Sequence, residues 1–412
     1  MIRGGLLVVV GASVALSAAT MSSGDASRLG RSLIQVLPIA LIPAAWMVVQ
    51  LLPIPGISVP APIGGPASLG EPVTGRMTVD SAATAMALGS YLVMLSIVLT
   101  SAMLTLQRRS AAWMLSLLTT VTAGMALASI VHDVGGMTFL GDPRGTLRTA
   151  FDTAAAIGSV TALASAAAAG ARFEGGRGSR LNGLALFRRI SGALLALLLC
   201  AVAVGYLQGG LLLVAAASGA LTFGVVLAVR RTGRTGWVGA LLVAAGLGVP
   251  GMLLAAQGGS GSGPLALRFA QASPENIAVA RRILADTPLT GSGAGTFTGL
   301  QAAYRDGGDP GSATAPTAMT AVAVEFGIAA PWIVIVLALW AAAVLGRGAL
   351  RRARDPAYAA AAAGCVVLLT FTAFRDASVT SPGVTMLAAL ALGLGLAQSQ
   401  DGSIALGRGP GV

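Results

Sequence analysis

Long apolar runs, separated by short polar stretches, recur along the whole chain. A helix needs about 20 mostly apolar residues to cross a hydrocarbon core of about 30 Å. Backbone polar groups in lipid must be satisfied inside the segment, and no run alternates as a barrel strand does, so helices are expected. The pattern predicts an all-α integral membrane protein with about 11 transmembrane helices. The predicted spans are Gly5–Met21, Leu33–Leu52, Ala82–Leu106, Ala112–Val131, Ala150–Ala171, Ile190–Tyr206, Leu211–Val229, Trp237–Gln257, Thr317–Leu345, Ala357–Phe374 and Val384–Ala397.

Composition and charge agree with this pattern, and the charges predict the orientation of the helices in the membrane. The chain is 55% hydrophobic and 10% charged, whereas soluble domains have about 25% charged residues. All 26 basic residues are arginines. Clusters such as Arg108–Arg109, Arg230–Arg231 and Arg351–Arg352 mostly occupy alternate loops, which the positive-inside rule places in the cytoplasm. The net charge of +11 therefore reflects topology, and no nucleic acid is expected as a partner. We expect a multi-pass protein of the bacterial inner (cytoplasmic) membrane.

The order of spans and loops divides the chain into four predicted regions. They are an N-terminal transmembrane bundle of about eight helices (1–257), a periplasmic loop with amphipathic helices (258–316), C-terminal transmembrane helices (317–398) and a cytoplasmic tail (399–412). The first apolar run, Gly5–Met21, fits either a first span or a signal peptide. Cys200 and Cys365 lie within apolar runs, which indicates small core side chains rather than a disulfide or a metal pair.

The predicted periplasmic loop (258–316) is the third of three outward-facing loops and is called the third loop below. It has the clearest local signals of helices and turns. Ser273-Pro274-Glu275 is typical of a helix start, with an N-cap, a proline at the first helical position and an acid in the first turn. The helix is expected to continue to Asp286. Its predicted apolar face consists of Ile277, Ala280, Ile283 and Leu284.

A glycine-rich turn follows this helix, with glycines at Gly291, Gly293 and Gly295. A second short helix is expected from Gly299 to Arg305. The turn does not follow a strand, and its spacing differs from Gly-x-Gly-x-x-Gly, so it does not indicate a nucleotide site. The sequence predicts two amphipathic helices that are joined by a tight turn and lie over the membrane surface.

Three patches of the sequence carry specific motifs. The first is WMVVQLLPIPG (46–56) with TVDSAAT (78–84), the second is PLTGSGAGTFTGLQAAYR (288–305) with TAVAVEFGIAAPW (320–332), and the third begins FRDASVTSPG (374–383). Together they resemble the O-antigen ligase and polymerase superfamily of bacterial membrane glycosyltransferases. The matching residues are Pro288, Leu289, Gly291, Gly293, Gly295, Thr296, Phe297, Tyr304, Glu325, Gly327, Ile328, Asp376 and Pro382.

The chain departs from this family at its histidines. Members carry a histidine shortly before the Glu-x-Gly motif, where this chain has Pro316-Thr317-Ala318. The one histidine of the chain is His132. The family's Asn-x-Asn-His after the fourth span has no counterpart, and its Ser-Arg-Gly is reduced to Ser218-Gly219.

The resemblance implies a metal-independent glycosyltransferase with no cofactor. Its donor would be an undecaprenyl-diphosphate-linked glycan, used in exopolysaccharide or O-antigen (lipopolysaccharide) biosynthesis. Membrane lipid and other polysaccharide assembly proteins are further implied partners. Such a transfer needs cations that offset the diphosphate charge and a base that takes the acceptor proton. The candidates for binding the diphosphate are Arg268, Arg281, Arg282 and Arg305, together with Arg144 and Arg148 in a second predicted outward loop, His132–Arg148. The candidates for catalysis are Glu325 and Asp376.

Alternatives stay open for the function and for each candidate residue. A non-catalytic scaffold in polysaccharide assembly fits the missing histidine. A transporter or flippase would need ionisable groups or broken helices near the bilayer midplane, and few charged residues lie deep in the predicted spans. At single residues, a loop arginine could pair with a nearby aspartate, Glu325 with a loop arginine, and Asp376 with Arg375.

Overall fold

The computed structural model describes residues 36–53, 77–135, 146–174, 180–207, 210–232, 264–305, 314–351 and 355–399, and these residues are mostly helical. The α-helices of these ranges are α1 (Ile42–Leu51), α2 (Ser81–Leu104), α3 (Arg108–Gly135), α4 (Thr146–Glu174), α5 (Arg180–Leu207), α6 (Gly210–Thr232), α7 (Pro274–Asp286), α8 (Phe297–Tyr304), α9 (Ala318–Phe326), α10 (Ala330–Arg351), α11 (Ala357–Arg375) and α12 (Pro382–Gln398). Short 3-10 turns at Leu265–Leu267 and Ser378–Thr380 precede α7 and α12.

Seven helices in the described ranges are long and apolar enough to cross a membrane, namely α2 to α6, α10 and α11. This confirms the predicted all-α class in the described residues and supports the predicted membrane protein. Two further helices, Val36–Leu51 and Pro382–Gln398, are apolar but shorter. The predicted spans Gly5–Met21 and Trp237–Gln257 lie outside the described residues, so the total of about 11 spans stays a prediction.

The most deeply buried spans are α4 and α11, which form the centre of the bundle. Their packing surfaces consist largely of alanines, such as Ala155 and Ala156 on α4 and Ala359 and Ala360 on α11, all with no exposed surface. Small side chains allow helix backbones to approach closely, and in lipid this close packing is a main source of helix association. The alanine-rich runs of the sequence are therefore the packing surfaces that hold the bundle together.

Contacts between helices identify one end of the bundle, called the loop end below. Helices α2 and α12 lie side by side and run in the same direction, because Ser101 donates to the Leu390 carbonyl at 2.9 Å and Gln398 donates to the Thr105 carbonyl. The first turns of α2, α4 and α12 and the last turn of α11 meet at the loop end. Helices α7, α8 and α9 pack there as well.

The predicted span Thr317–Leu345 is wrong as one continuous helix. The chain forms α9, breaks at Gly327 and continues as α10. Gly327 has φ 101°, and a Cβ at this position would overlap the Leu289 carbonyl oxygen. This backbone conformation is accessible to glycine and ends a right-handed helix. Helix α9 is thus a short helix at the loop end, outside the membrane-length helices, and α10 is the span.

Candidate functional site

The third loop is folded in its described part, and its first helix agrees with the prediction. Helix α7 begins at Pro274 and ends at Asp286, and the Ser273 hydroxyl accepts a hydrogen bond from the Asn276 N–H at 3.3 Å. Its buried residues are Val279, Ala280, Ile283 and Leu284, while Ile277 is partly buried. The second helix, α8, begins at Phe297, two residues before the predicted start at Gly299.

The apolar faces of these helices form one small core at the end of α11. The core joins buried residues of α7, α8 and α9 to Ala373 and Phe374, in the last turn of α11. Leu267, from the 3-10 turn before α7, completes it. The third loop is therefore packed on the loop end of the bundle by the same hydrophobic burial that stabilises a soluble domain.

The glycine turn, residues Gly291–Phe297, lies against α2 and α9. Gly291, Gly293 and Gly295 all have positive φ, at 84°, 110° and 77°. A Cβ on Gly291 would overlap the Glu325 carbonyl oxygen, and a Cβ on Gly293 would overlap the Thr78 hydroxyl. Glycine is required here both for the left-handed backbone and for the close approach of neighbouring chains.

Backbone hydrogen bonds fix the turn in this position. The Ser292 N–H donates to the Val324 carbonyl at 2.9 Å, and the Gly293 N–H donates to the Glu325 carbonyl at 3.2 Å. On the other side, the Val79 N–H donates to the Ser292 carbonyl at 2.9 Å. The turn thus connects the segment before α2 to the last turn of α9.

Gln50 on α1 also binds this turn, although it was not among the predicted site residues. Its side chain has no exposed surface. The amide nitrogen donates to the Glu325 carbonyl at 2.9 Å, and the amide oxygen accepts from the Ala294 N–H at 3.2 Å. One buried amide therefore satisfies two backbone groups from segments that are far apart in the chain. We call the set formed by Gln50, Thr78, Gly291–Phe297 and Glu325 the glycine-turn contact.

The Glu325 carboxylate points at the glycine turn. It accepts hydrogen bonds from the backbone N–H groups of Gly295 and Phe297, the latter at 3.4 Å. Burial raises the pKa of this carboxyl from 4.5 to about 7, although these two hydrogen bonds favour the charged form. The alternative prediction that it pairs with a loop arginine is wrong within the described residues, because its partners there are backbone amides.

A second polar contact joins the third loop to the bundle through Arg375 and Asp376. The Arg375 Nε donates to the Gln271 side-chain oxygen at 2.8 Å, and the Gln271 N–H donates to the Arg375 carbonyl at 2.9 Å. The Ala318 N–H, at the start of α9, donates to the Asp376 carbonyl at 3.0 Å. We call Gln271, Ala318, Arg375 and Asp376 the arginine contact.

The charged side chains of the arginine contact are buried and engaged with each other. Arg375 and Asp376 form an ion pair with an N–O distance of 3.4 Å, which confirms the pairing predicted as the structural alternative for Asp376. The other Asp376 oxygen accepts from the N–H of Ser378 at 2.8 Å and from its hydroxyl. The Ser378 hydroxyl in turn lies 2.7 Å from the Thr153 hydroxyl of α4.

The four candidate diphosphate-binding arginines all lie on the third loop, but they do not converge on one point. Arg281 and Arg282 are adjacent on the exposed face of α7. Arg305 follows α8 and donates to the Asn276 side-chain oxygen on α7 at 3.4 Å. Arg268 is exposed and follows the 3-10 turn before α7. The structure therefore places three of them along α7 and the fourth on the segment that leads into it.

The second outward loop contributes an ion pair near the same end. Arg148 donates to the Asp133 carboxylate at 2.7 Å, and His132 lies 3.3 Å from the same carboxylate. This pairing favours a structural role for Arg148. Arg144 lies outside the described residues. No group of three or more His, Cys, Asp or Glu side chains that could hold a metal ion occurs in the described ranges.

Two buried polar residues were not among the predicted site residues, although each interrupts an apolar run of the sequence. Gln50 is the one polar side chain in WMVVQLLPIPG, and Asp152 is the one acid within the predicted span Ala150–Ala171. A polar group inside lipid is costly unless it is paired, so each interruption is a signal of a buried contact. The partners of these residues are distant in sequence, and no local pattern identifies them.

Two comparisons with known proteins found no match. No model of a known protein family matches the chain. The curated proteins likewise contain no match to it.

Proposed function

We propose that the protein transfers a glycan from an undecaprenyl-diphosphate carrier to an acceptor hydroxyl. The proposed reaction takes place at the periplasmic face of the bacterial inner membrane, during exopolysaccharide or O-antigen assembly. The proposal starts from the sequence resemblance to the O-antigen ligase and polymerase superfamily, and the geometry at the loop end supports it in one specific way.

The supporting observation is the convergence of the resembling patches. Gln50 and Thr78 come from the first patch, the glycine turn and Glu325 come from the second, and all of them meet in the glycine-turn contact. The third patch, with Arg375 and Asp376, contacts the same loop at Gln271 and Ala318. Motifs that lie up to 275 residues apart thus form one connected structure. This is the arrangement expected if the motifs serve one site.

The third loop carries the positive charges that the reaction requires. As the bond between the anomeric carbon and the diphosphate oxygen breaks, negative charge grows on the leaving diphosphate. Arginine is suited to bind it, because the planar guanidinium forms two parallel hydrogen bonds to phosphate oxygens and stays charged. Arg281 and Arg282 occupy the exposed face of α7, with Arg305 joined to the same helix.

The acceptor oxygen forms the new bond to the anomeric carbon, and its proton must be taken up by a base. Glu325 is the proposed base, because burial brings the pKa of its carboxyl to about 7, near the pH of the reaction. Asp376 is less suited, because its carboxylate is bound to Arg375 and Ser378. The proposed role of Asp376 is therefore to hold the loop on the bundle.

The test is a deletion strain complemented with wild type or with Arg281→Ala/Arg282→Ala. Both side chains are exposed, so the variant is expected to reach the membrane in normal amount. We expect it to lose at least about tenfold in glycan transfer, since hydrogen bonds to charged groups contribute about 1.5–3 kcal/mol each. The readout is surface polymer on gels together with lipid-linked repeat units in extracts.

A matched control is Arg188→Ala/Arg189→Ala, an exposed arginine pair near the start of α5 at the other end of the bundle. This control should transfer glycan at the wild-type rate. If polymer persists in the deletion strain, the transferase proposal fails and a scaffold or transport role takes its place. If the deletion blocks transfer but the α7 variant restores it fully, the reaction stands and the arginine assignment fails.

A further inference from the structure

One buried charge at the loop end is not used by the proposed reaction. Asp152 lies two turns into α4, within a membrane-length helix, and has no exposed surface. One carboxylate oxygen accepts from the Ser129 hydroxyl of α3 at 2.7 Å. Within the described residues, the other oxygen is buried and has no hydrogen-bond partner. A carboxylate in this environment is costly unless opposite charges compensate it.

Two arginines near Asp152 carry compensating positive charge. Its carboxylate interacts electrostatically with Arg148, one helical turn earlier, and with Arg375 at the end of α11. Arg148 is already paired with Asp133 and is partly exposed. Arg375 is buried, so its interaction with Asp152 is screened least by water. Arg375 thus interacts with two carboxylates, those of Asp376 and Asp152.

A series of hydrogen bonds also connects the segment after Arg375 to α4 beside Asp152. Asp376 bonds to Ser378, and Ser378 lies within hydrogen-bond distance of Thr153, the residue next to Asp152 on α4. The guanidinium Nε donates to Gln271 of the third loop. Arg375 is therefore surrounded by α4, the segment after α11, and the loop that it holds.

We propose that Asp152 is a positioning residue for Arg375. Its carboxylate balances and orients the buried guanidinium, and Arg375 in that orientation binds Gln271 and fixes the start of the third loop on the bundle. The inference deepens the proposed function and rests on it only in that the third loop carries the arginines of that proposal. The docking of the loop itself is independent of any reaction and can be measured in the purified protein.

The experiment uses two cysteine reporters in detergent-purified protein. Ala266→Cys reports on the arginine contact and Ala294→Cys on the glycine-turn contact; both alanines are buried. The native Cys200 and Cys365 are buried in the bundle and serve as an unreactive background. The measured quantity is the rate of labelling by a water-soluble maleimide.

Asp152→Asn keeps an oxygen for Ser129 but removes the charge. We expect it to raise labelling of the Ala266→Cys reporter about tenfold, because a buried charge left without its partner is strongly unfavourable. Labelling of the Ala294→Cys reporter should change less than about twofold, which would exclude general unfolding. Ser129→Ala, which removes the hydrogen bond but not the charge, is the matched control and should leave both rates near wild type.

A double-mutant cycle with Arg375→Gln decides whether Asp152 acts through the arginine. In the Arg375→Gln background, Asp152→Asn should have little further effect on the Ala266→Cys reporter, since the positive charge to be balanced is gone. Equal effects of Asp152→Asn in both backgrounds would overturn the inference. So would an effect of Ser129→Ala as large as that of Asp152→Asn. Because these rates do not depend on glycan transfer, such a result leaves the proposed function untouched.

Discussion

The third loop is fixed to the bundle by two contacts that differ in how their polar groups are satisfied. At the glycine-turn contact, most partners are backbone groups, which are bridged by the neutral amide of Gln50 and by the Glu325 carboxyl. At the arginine contact, buried charged side chains, Arg375 with Asp376 and Asp152, carry the interaction. Both contacts hold the same loop at the same end of the molecule.

The difference indicates which changes each contact can tolerate. A contact made mainly of backbone hydrogen bonds depends on the chain conformation, so it is sensitive to added volume and to backbone strain, and it responds to charge only at Glu325. A contact made of buried charges depends on charge balance, so an isosteric neutral substitution can disrupt it. The predictions below test this distinction at the glycine-turn contact, in order of decreasing effect on loop docking.

The largest effect is expected from Gly293→Ala. Gly293 has φ 110°, and the added Cβ would overlap the Thr78 hydroxyl. Strain of this kind costs about 1–3 kcal/mol in addition to the displacement of Thr78. We expect labelling of the Ala294→Cys reporter to rise by roughly 100-fold, the equivalent of about 3 kcal/mol. Labelling of the Ala266→Cys reporter should rise much less.

Gly299→Ala provides the matched control for this substitution. Gly299 lies in α8, where a Cβ would meet no atom within 4 Å. Because alanine is favoured over glycine in a helix by about 1 kcal/mol, this variant should be as well docked as wild type or better. Equal labelling of the two alanine variants would contradict the requirement for glycine in the turn.

The sequence was informative wherever the cause of a structure is local. Helix α7 could be predicted to the residue, because its N-cap, its proline and its apolar spacing all lie within the segment itself. The glycine turn could be predicted as a turn for the same reason. The break at Gly327 was missed, because an apolar run that contains a glycine has the same hydropathy whether the helix continues or ends there. Its cause, the approach of Leu289, lies 38 residues away.

The contacts of the candidate site were not predictable, because they depend on distant pairs. The Gln50 amide bonds to groups 244 and 275 residues away, and Thr153 meets Ser378 across 225 residues. Of the loop arginines, Arg268, Arg281 and Arg282 are exposed and Arg305 is half-buried, and their spread along α7 depends on how α8 packs against it. Candidate side chains could thus be identified from the sequence, whereas their arrangement in space follows from tertiary packing.

A smaller effect is expected from Gln50→Leu. Leucine has a similar volume, but it leaves the Ala294 N–H and the Glu325 carbonyl without the amide that bonds to them. The Glu325 carbonyl keeps its bond from Gly293, so the main loss is one buried donor, which costs about 1–3 kcal/mol. Labelling of the Ala294→Cys reporter should rise roughly tenfold, since tenfold corresponds to about 1.4 kcal/mol.

The control for Gln50 is another fully buried glutamine that bonds to a distant carbonyl. Gln398 on α12 donates to the Thr105 carbonyl at the end of the bundle away from the loop. Gln398→Leu should lower the thermal stability of the protein but leave labelling of the Ala294→Cys reporter unchanged at low temperature. If both leucine variants expose the turn equally, Gln50 acts through the general stability of the bundle and not through the glycine-turn contact.

The smallest effect on docking is expected from Glu325→Gln at low pH, where the wild-type carboxyl is also neutral, and the effect should grow as the pH rises. The pKa of Glu325 is 4.5 without burial and about 7 in the docked loop, so the docked state binds the proton more tightly. Docking is therefore strongest below pH 4.5, weakens as the pH rises towards 7 and is constant above that. Glutamine does not titrate and should abolish this dependence. The ratio of Ala294→Cys labelling in the two proteins cancels the pH dependence of the thiol itself.

Glycan transfer should respond to pH in the opposite direction, because a base must be deprotonated to accept a proton. In wild type, transfer is expected to rise as the pH increases through about 7, while docking weakens. Glu325→Gln should lower transfer about 10²- to 10⁴-fold, the usual contribution of a general base, above pH 7, where the wild-type carboxyl is deprotonated and the neutral variant docks at least as well as wild type. A variant that docks normally and transfers normally would restrict Glu325 to ordering the glycine turn. The catalytic proton would then have to be taken by another group.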